Sequence, residues 1–164
     1  MTTPSGSRGG STPPRLHAAV KPPQWFVLRP WLFDVTAAHD LLRAAPRPAR
    51  PFPVTAWARA YGLVPGPGGS PDTVSLISPG PGFDPEYAMS TDLGEPVIVA
   101  AIASANGKNT WPLLIDGCHR LYKAARLHLE HVPSLVLTAE ETLAIRHDAI
   151  LGPSRPVGRI GDRP

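Results

Sequence analysis

The sequence predicts a mixed α/β (α+β) domain, and three observations carry that prediction. An apolar run at residues 113–115 leads through Asp116-Gly117 into Leu121, Ala124, Ala125 and His128 at helical spacing, so a strand passes straight into a helix with one buried face. A second apolar run, residues 132–137, reads as another buried strand, with Pro133 at its start, where a missing N–H is tolerated. Proline supplies the third: 16 of the 22 prolines lie in residues 1–90 and only three in residues 86–152, so the later half is the regular one.

In chain order, residues 1–23 are rich in Gly, Ser, Pro and Thr, a composition that buries too little apolar surface to offset the entropy of ordering, and they are expected to be a disordered tail. Residues 24–28 read as a strand and residues 35–45 as a short helix opened by Asp34. Pro46-Arg47-Pro48-Ala49-Arg50-Pro51 cannot continue a helix, because each proline lacks an N–H and restricts the residue before it, so it reads as a spacer. Residues 55–63 predict a helix with Trp57 and Tyr61 on one face, ended by Gly62 or by the turn-rich residues 65–69, with a surface loop to about residue 70. Residues 24–69 are thus expected to be a proline-rich extension and residues 70–150 the compact domain. Thr138 and Glu141 form the pattern of a capping box opening a further helix to about residue 150, and residues 151–164 read as a flexible tail.

Chemistry is expected at the junction of residues 116–120. The first four N–H groups of a helix have no partner within it, and the aligned peptide dipoles leave partial positive charge there, so the helix mouth suits an anion. Asp116 reads as the N-cap, Gly117 lets a ligand approach the backbone, and His119 and Arg120 place donors at the same mouth, with Lys123 one turn on from Arg120. Phosphate meets these needs, so a phosphorylated ligand is expected. Cys118 has two readings: a nucleophile whose thiolate the helix start and Arg120 favour, or a small residue lining the site, the latter supported by the opposing charge of Asp116. Arg120 and His119 are either phosphate contacts or helix-surface charge paired with Asp116.

Asp116-Gly117-Cys118-His119-Arg120 opening a helix, followed by the Val132-Pro133 strand, resembles the ParB/sulfiredoxin-like domains. Pro96-Val97-Ile98-Val99-Ala100 looks like the preceding strand of that family, and the likeness covers about residues 87–150. It implies a nucleotide ligand, ATP, ADP or CTP with Mg. Sulfiredoxins read Gly-Gly-Cys-His-Arg, the Cys being the nucleophile in ATP-dependent repair of a peroxiredoxin sulfinic acid; Cys118 falls on that Cys, whereas Asp116 departs from the pattern. Small-molecule kinases of the fold, which phosphorylate free serine, read Asp-Gly-x-His-Arg with His where Cys118 stands. Such a kinase also needs a carboxylate to activate the acceptor hydroxyl and a divalent ion to bridge phosphate oxygens, and Glu95 and Asp92 are the candidate bases. Partition ParB proteins bind CTP through Gly-Glu-Arg-Arg and carry a helix-turn-helix domain afterwards; here the motif differs and 14 residues follow Ile150. The leading expectation is nucleotide or phosphate-ligand binding, with an ATP- or ADP-dependent phosphotransferase as its enzymatic form. A non-catalytic nucleotide-gated interaction or DNA-associated module and a sulfiredoxin-like Cys-dependent repair enzyme are the alternatives.

Composition restricts the remaining classes. A chain of 164 residues that is 42% apolar suffices for one modest core, and a single Cys excludes an internal disulfide. No apolar run approaches the length of a bilayer span, and the polar first 11 residues lack the apolar middle of a secretory signal, so a cytoplasmic protein without membrane contact is expected. Net charge is +3, but residues 1–60 hold eight basic and two acidic side chains, which would allow nonspecific nucleic-acid binding or reflect only a high-GC coding background. A protein partner remains open. His128 and His131 have no Cys or carboxylate partners in a recognisable metal pattern, and no Gly-x-Ser-x-Gly elbow marks a hydrolase.

Overall fold

The computed structural model describes residues 22–65, 83–104 and 106–148. Seven strands and five helices occur among them: β1 (Trp25–Leu28), β2 (Trp31–Asp34), α1 (Val35–Ala44), β3 (Arg50–Pro53), α2 (Val54–Ala60), α3 (Pro85–Ser90), β4 (Val97–Ala103), β5 (Thr110–Asp116), α4 (Cys118–Arg126), β6 (His131–Val136), α5 (Ala139–Ala144) and β7 (Arg146–Asp148). The class is mixed α+β. The expected tails, except for residues 22 and 23, and the expected loop after Pro65 lie outside the described residues.

The strands form two sheets, ordered β1-β2-β7 and β3-β6-β4-β5. In the larger sheet β4 and β6 run parallel, while β3 with β6 and β4 with β5 are antiparallel. A parallel pair needs a crossover, and β5 with α4 supplies it. β5 and β6, expected as consecutive strands, therefore flank β4 rather than each other. Of the four residues that begin β4, Val97 and Ala100 are completely inaccessible and Ile98 and Val99 nearly so, as a strand packed on both faces requires. Its outer neighbours carry prolines, Pro51 and Pro53 on β3 and Pro112 on β5, which limit further pairing at both edges.

The expected boundary near residue 69 does not divide this fold. β3, from the segment read as a spacer, pairs with β6, and β2 pairs with β7. The Tyr61 hydroxyl, completely buried, donates to the Leu114 carbonyl at 2.5 Å. One continuous core joins Phe33, Leu42, Phe52, Val54 and Tyr61 to Val97, Ile98, Leu114, Leu121, Leu137 and Ile145. A four-stranded sheet without its first strand and its covering aromatic side chains would leave this apolar surface in water, which is why the proline-rich half belongs to the domain.

Local predictions fared according to how much they depended on distant partners. α1 is capped by Asp34, whose side chain accepts from the Ala37 N–H, and Trp57 and Tyr61 lie on one face with ring centroids 5.8 Å apart and planes tilted by 50°. α2 ends at Ala60, short of the expected residue 63, and Gly62, one of the two expected stops, follows its cap with φ +62°. α4 stops at Arg126, earlier than expected, and His128 is exposed in a left-handed conformation rather than on the buried face. α5 ends at Ala144 because residues 146–148 leave the helix to pair with β2, so the helix expected to reach residue 150 is short.

Candidate ligand site at the start of α4

The site begins with a change of register. Val99 faces Leu114, but Ile98 faces Asp116, so Ile115 is an extra residue in β5 and the strand is irregular just before its end. Such a bulge re-aims the residues beyond it, here Asp116. Gly117 follows with φ +99° and ψ +20°, a left-handed conformation that turns the chain into α4. A Cβ at Gly117 would lie 2.5 Å from Val97 Cγ1 and 3.1 Å from Arg120 Nη2, so glycine is required by space as well as by conformation.

Gly117, not Asp116, is the N-cap of α4, which corrects the expected role of Asp116. Asp116 is the last residue of β5 and its carboxylate is used sideways: Arg120 Nη2 donates to Oδ2 at 2.9 Å, and His39 Nε2, from α1, lies 3.4 Å from the same oxygen. Burial opposes ionisation of Asp116, but the His39 contact and the Arg120 charge outweigh it and hold the carboxyl below its ordinary range. The start of α4 consequently has no side-chain cap. Among the described residues, no oxygen accepts from the N–H groups of Cys118, His119 or Arg120, whereas the Leu121 N–H closes the first turn on the Gly117 carbonyl. The Cys118 N–H is turned toward its own sulfur, and the His119 and Arg120 N–H groups are left open at a helix start, an anion-binding arrangement.

The other expected site residues are used differently. His119 packs as an aromatic ring, stacked on Phe83 at 4.8 Å and 3° and edge-on to Tyr87 at 5.1 Å, so it does not project into the helix mouth as a donor. Lys123 donates to the Thr91 carbonyl at 2.6 Å and ties α4 to the segment before β4. Arg120 is mostly buried and turned back onto Asp116, one of the two alternatives the sequence left open. His119 Nε2 and Arg120 Nε are the two buried side-chain polar atoms without a hydrogen-bond partner among the described residues. Buried unpaired polar atoms cost about 1–3 kcal/mol each, so their concentration in this first turn marks it as locally unsatisfied.

Cys118 opens α4 and is partly buried against the core. Burial first, and then the Asp116 charge, push its thiol up to about 11, which favours the second of its two readings, a small residue lining the site. Burial outweighs the help that a helix start and Arg120 give. Asp92 and Glu95 are exposed, and Asp92 accepts from the Gly94 N–H at 2.8 Å in its own turn. Neither carboxylate is hydrogen-bonded to the α4 mouth, so the structure does not assemble them into the site. The residue that sequence reasoning missed is His39, which stands 77 positions before Asp116 on a helix assigned to the extension; only its place on the polar side of α1 was visible.

Among the described residues, no three His, Cys, Asp or Glu side chains are grouped to hold a metal ion, and no helix is long and apolar enough to cross a membrane. Of the basic residues in the first 60, Arg43 pairs with Asp40 and Arg47 with Glu141, so part of that positive charge is internally neutralised. No protein-family model, curated protein or solved structure matches the chain.

Proposed function

We propose that this protein binds a phosphate-bearing ligand, a nucleotide such as ATP, ADP or CTP with magnesium, at the uncapped start of α4. One observation carries the reading: the N–H groups of His119 and Arg120 have no acceptor among the described residues, at a helix start that no side chain caps. Arg120 supplies a guanidinium that can exchange Asp116 for a phosphate oxygen, and a charge-assisted contact of that kind contributes about 1.5–3 kcal/mol. The ParB/sulfiredoxin-like resemblance of residues 116–120 and 132–133 supports the same reading, and the parallel β4–β6 pair joined through β5 and α4 is compatible with it. Divalent magnesium needs few protein ligands when phosphates supply oxygens, so it would enter with the nucleotide.

A second reading is favoured by the placement of Asp92, Glu95 and Cys118. With neither carboxylate hydrogen-bonded to the mouth and the thiol pushed up to about 11, nucleotide binding without turnover describes a gated interaction module. Isothermal titration calorimetry against ATP, ADP and CTP with magnesium, and against pyrophosphate, tests the common element. Saturable binding weakened about 10- to 100-fold by Arg120→Ala is expected. Equal affinity in wild type and Arg120→Ala, or no binding of any of these ligands, would remove the proposal.

A further inference from the structure

We infer that the cavity between α2 and the C-terminal end of α4 binds a small apolar carboxylate, with Arg59 and His128 contacting the carboxylate and Val64, Ala125 and Leu129 the apolar body. The cavity measures about 290 Å³ and is lined by these residues and by Thr55. At about 30 Å³ for each water it has room for roughly ten, and so for a ligand of about ten non-hydrogen atoms. Thr55 and Arg59 are four positions apart on α2 and share one of its faces, while α4 contributes Ala125 and the turn that ends it. The nine residues of α4, about 13 Å of helix, separate this cavity from the site proposed at the helix start, so the two readings are independent.

Charge and backbone both point to an anion. The ion pairs among the described residues engage His39, Arg43, Arg47 and Arg120 and leave Arg59 and His128 without a carboxylate. No acidic residue lines the cavity, and Glu130, two positions beyond His128, is exposed outside it. Arg59 is the one permanent charge in the lining, which balances a monoanion, and a guanidinium meets a carboxylate through two parallel N–H bonds. The Thr55 hydroxyl and an imidazole N–H, present whether or not the ring is charged, add donors. The His128 N–H donates to the Ala125 carbonyl at 3.1 Å and the Leu129 N–H to the Ala124 carbonyl at 2.9 Å, a helix-ending turn whose left-handed residue is ordinarily glycine. His128 holds that place at φ +55°, where a Cβ is strained. Glycine would make the same two bonds, so the imidazole is not required to end the helix; what it adds is a polar ring on the wall of the cavity.

The test titrates benzoate and hexanoate into the full chain and follows amide NMR shifts, with benzamide as the neutral counterpart of benzoate and phenyl phosphate as a dianionic one. Saturable shifts at Thr55, Arg59, Ala125 and Leu129 are expected, with a dissociation constant of about 1 mM for ligands of this size, and benzamide should bind at least about tenfold more weakly. Arg59→Gln should weaken benzoate about tenfold and His128→Gly about threefold to tenfold. His128→Gly should also raise the thermal midpoint by about 2–6 °C by relieving the turn, so its loss of affinity cannot come from unfolding. Benzoate affinity unaltered in Arg59→Gln would confine that residue to a charge at a helix end and overturn the inference, and wild-type affinity in His128→Gly would do the same for the imidazole. No saturable shift up to about 20 mM, equal binding of benzamide, or shifts centred on Cys118 to Arg120 overturns the site. Tighter binding of phenyl phosphate than of benzoate overturns the carboxylate as the ligand class. None of these failures touches the reading at the start of α4.

Discussion

Among the helices that follow strands of the four-stranded sheet, α4 after β5 and α5 after β6 have first turns built in opposite ways. At α5 the Thr138 hydroxyl accepts from the Glu141 N–H at 3.1 Å and the Glu141 carboxylate accepts from the Thr138 N–H at 2.8 Å. Arg47 then grips that carboxylate through both oxygens, at 2.8 and 2.6 Å, and reaches the Val136 carbonyl. At α4 the corresponding acid, Asp116, stands outside the helix, the cap is a glycine, and the arginine comes from within the first turn. A helix start closed by its own side chains serves the fold. One left open exposes donors that water or a ligand must satisfy, and the difference separates a structural junction from a candidate site within one sheet.

The contrast can be broken most sharply at Gly117. Gly117→Ala places a Cβ against Val97 in a left-handed conformation and should cost about 2–4 kcal/mol, lowering the thermal midpoint by roughly 10 °C. Differential scanning calorimetry would measure it, and a change under 0.5 kcal/mol would mean that the close approach to Val97 does not hold in solution. Next in size, Thr138→Ala or Glu141→Gln should each cost about 1–2 kcal/mol in urea denaturation and leave nucleotide affinity unaltered. An affinity change in either variant would show that the two junctions are not independent.

Acid provides the finest test. The Arg47 hydrogen bonds hold the Glu141 carboxyl down to about 2, against about 4.3 in an unfolded chain. A carboxyl depressed in the folded state stabilises it above the unfolded value, and that contribution fades as pH falls toward the folded one. The stability deficit of Glu141→Gln at neutral pH should therefore shrink below about pH 4 and vanish near pH 2. A deficit independent of pH would assign the loss to packing rather than to the ion pair. Asp116, also held below its ordinary range, should add acid sensitivity of the same sign.

Elements whose causes are local were legible in the sequence. Asp34 capping α1, the Thr138–Glu141 capping box and the strand-to-helix passage at residues 113–118 each depend on residues a few positions apart. The missed strands share another property. β2, β3 and β7 are three or four residues long, and two of β3's residues are proline, so neither periodicity nor propensity distinguishes them from loop until a partner strand is present. α3, six residues capped by Asp84, is similarly too short to register as a helical pattern. The site divided in the same way: Gly117 was recognised from its neighbours, but the use of Asp116, His119 and Lys123 was not, because a carboxylate, an imidazole and an ammonium each have several partners within reach of a helix start.

By itself, then, the sequence determined that a strand runs through Asp116-Gly117 into an amphipathic helix, where caps can form, and that the later half is regular, since backbone geometry and short-range hydrogen bonding settle these over one or two turns. Only the tertiary structure decided that residues 25–63 complete the same core, that Ile115 is the extra residue in β5, and that His39 meets Asp116. Those outcomes depend on burying apolar surface between segments far apart in the chain, and the side chains brought together at the edge of that core are set by the packing rather than by their spacing.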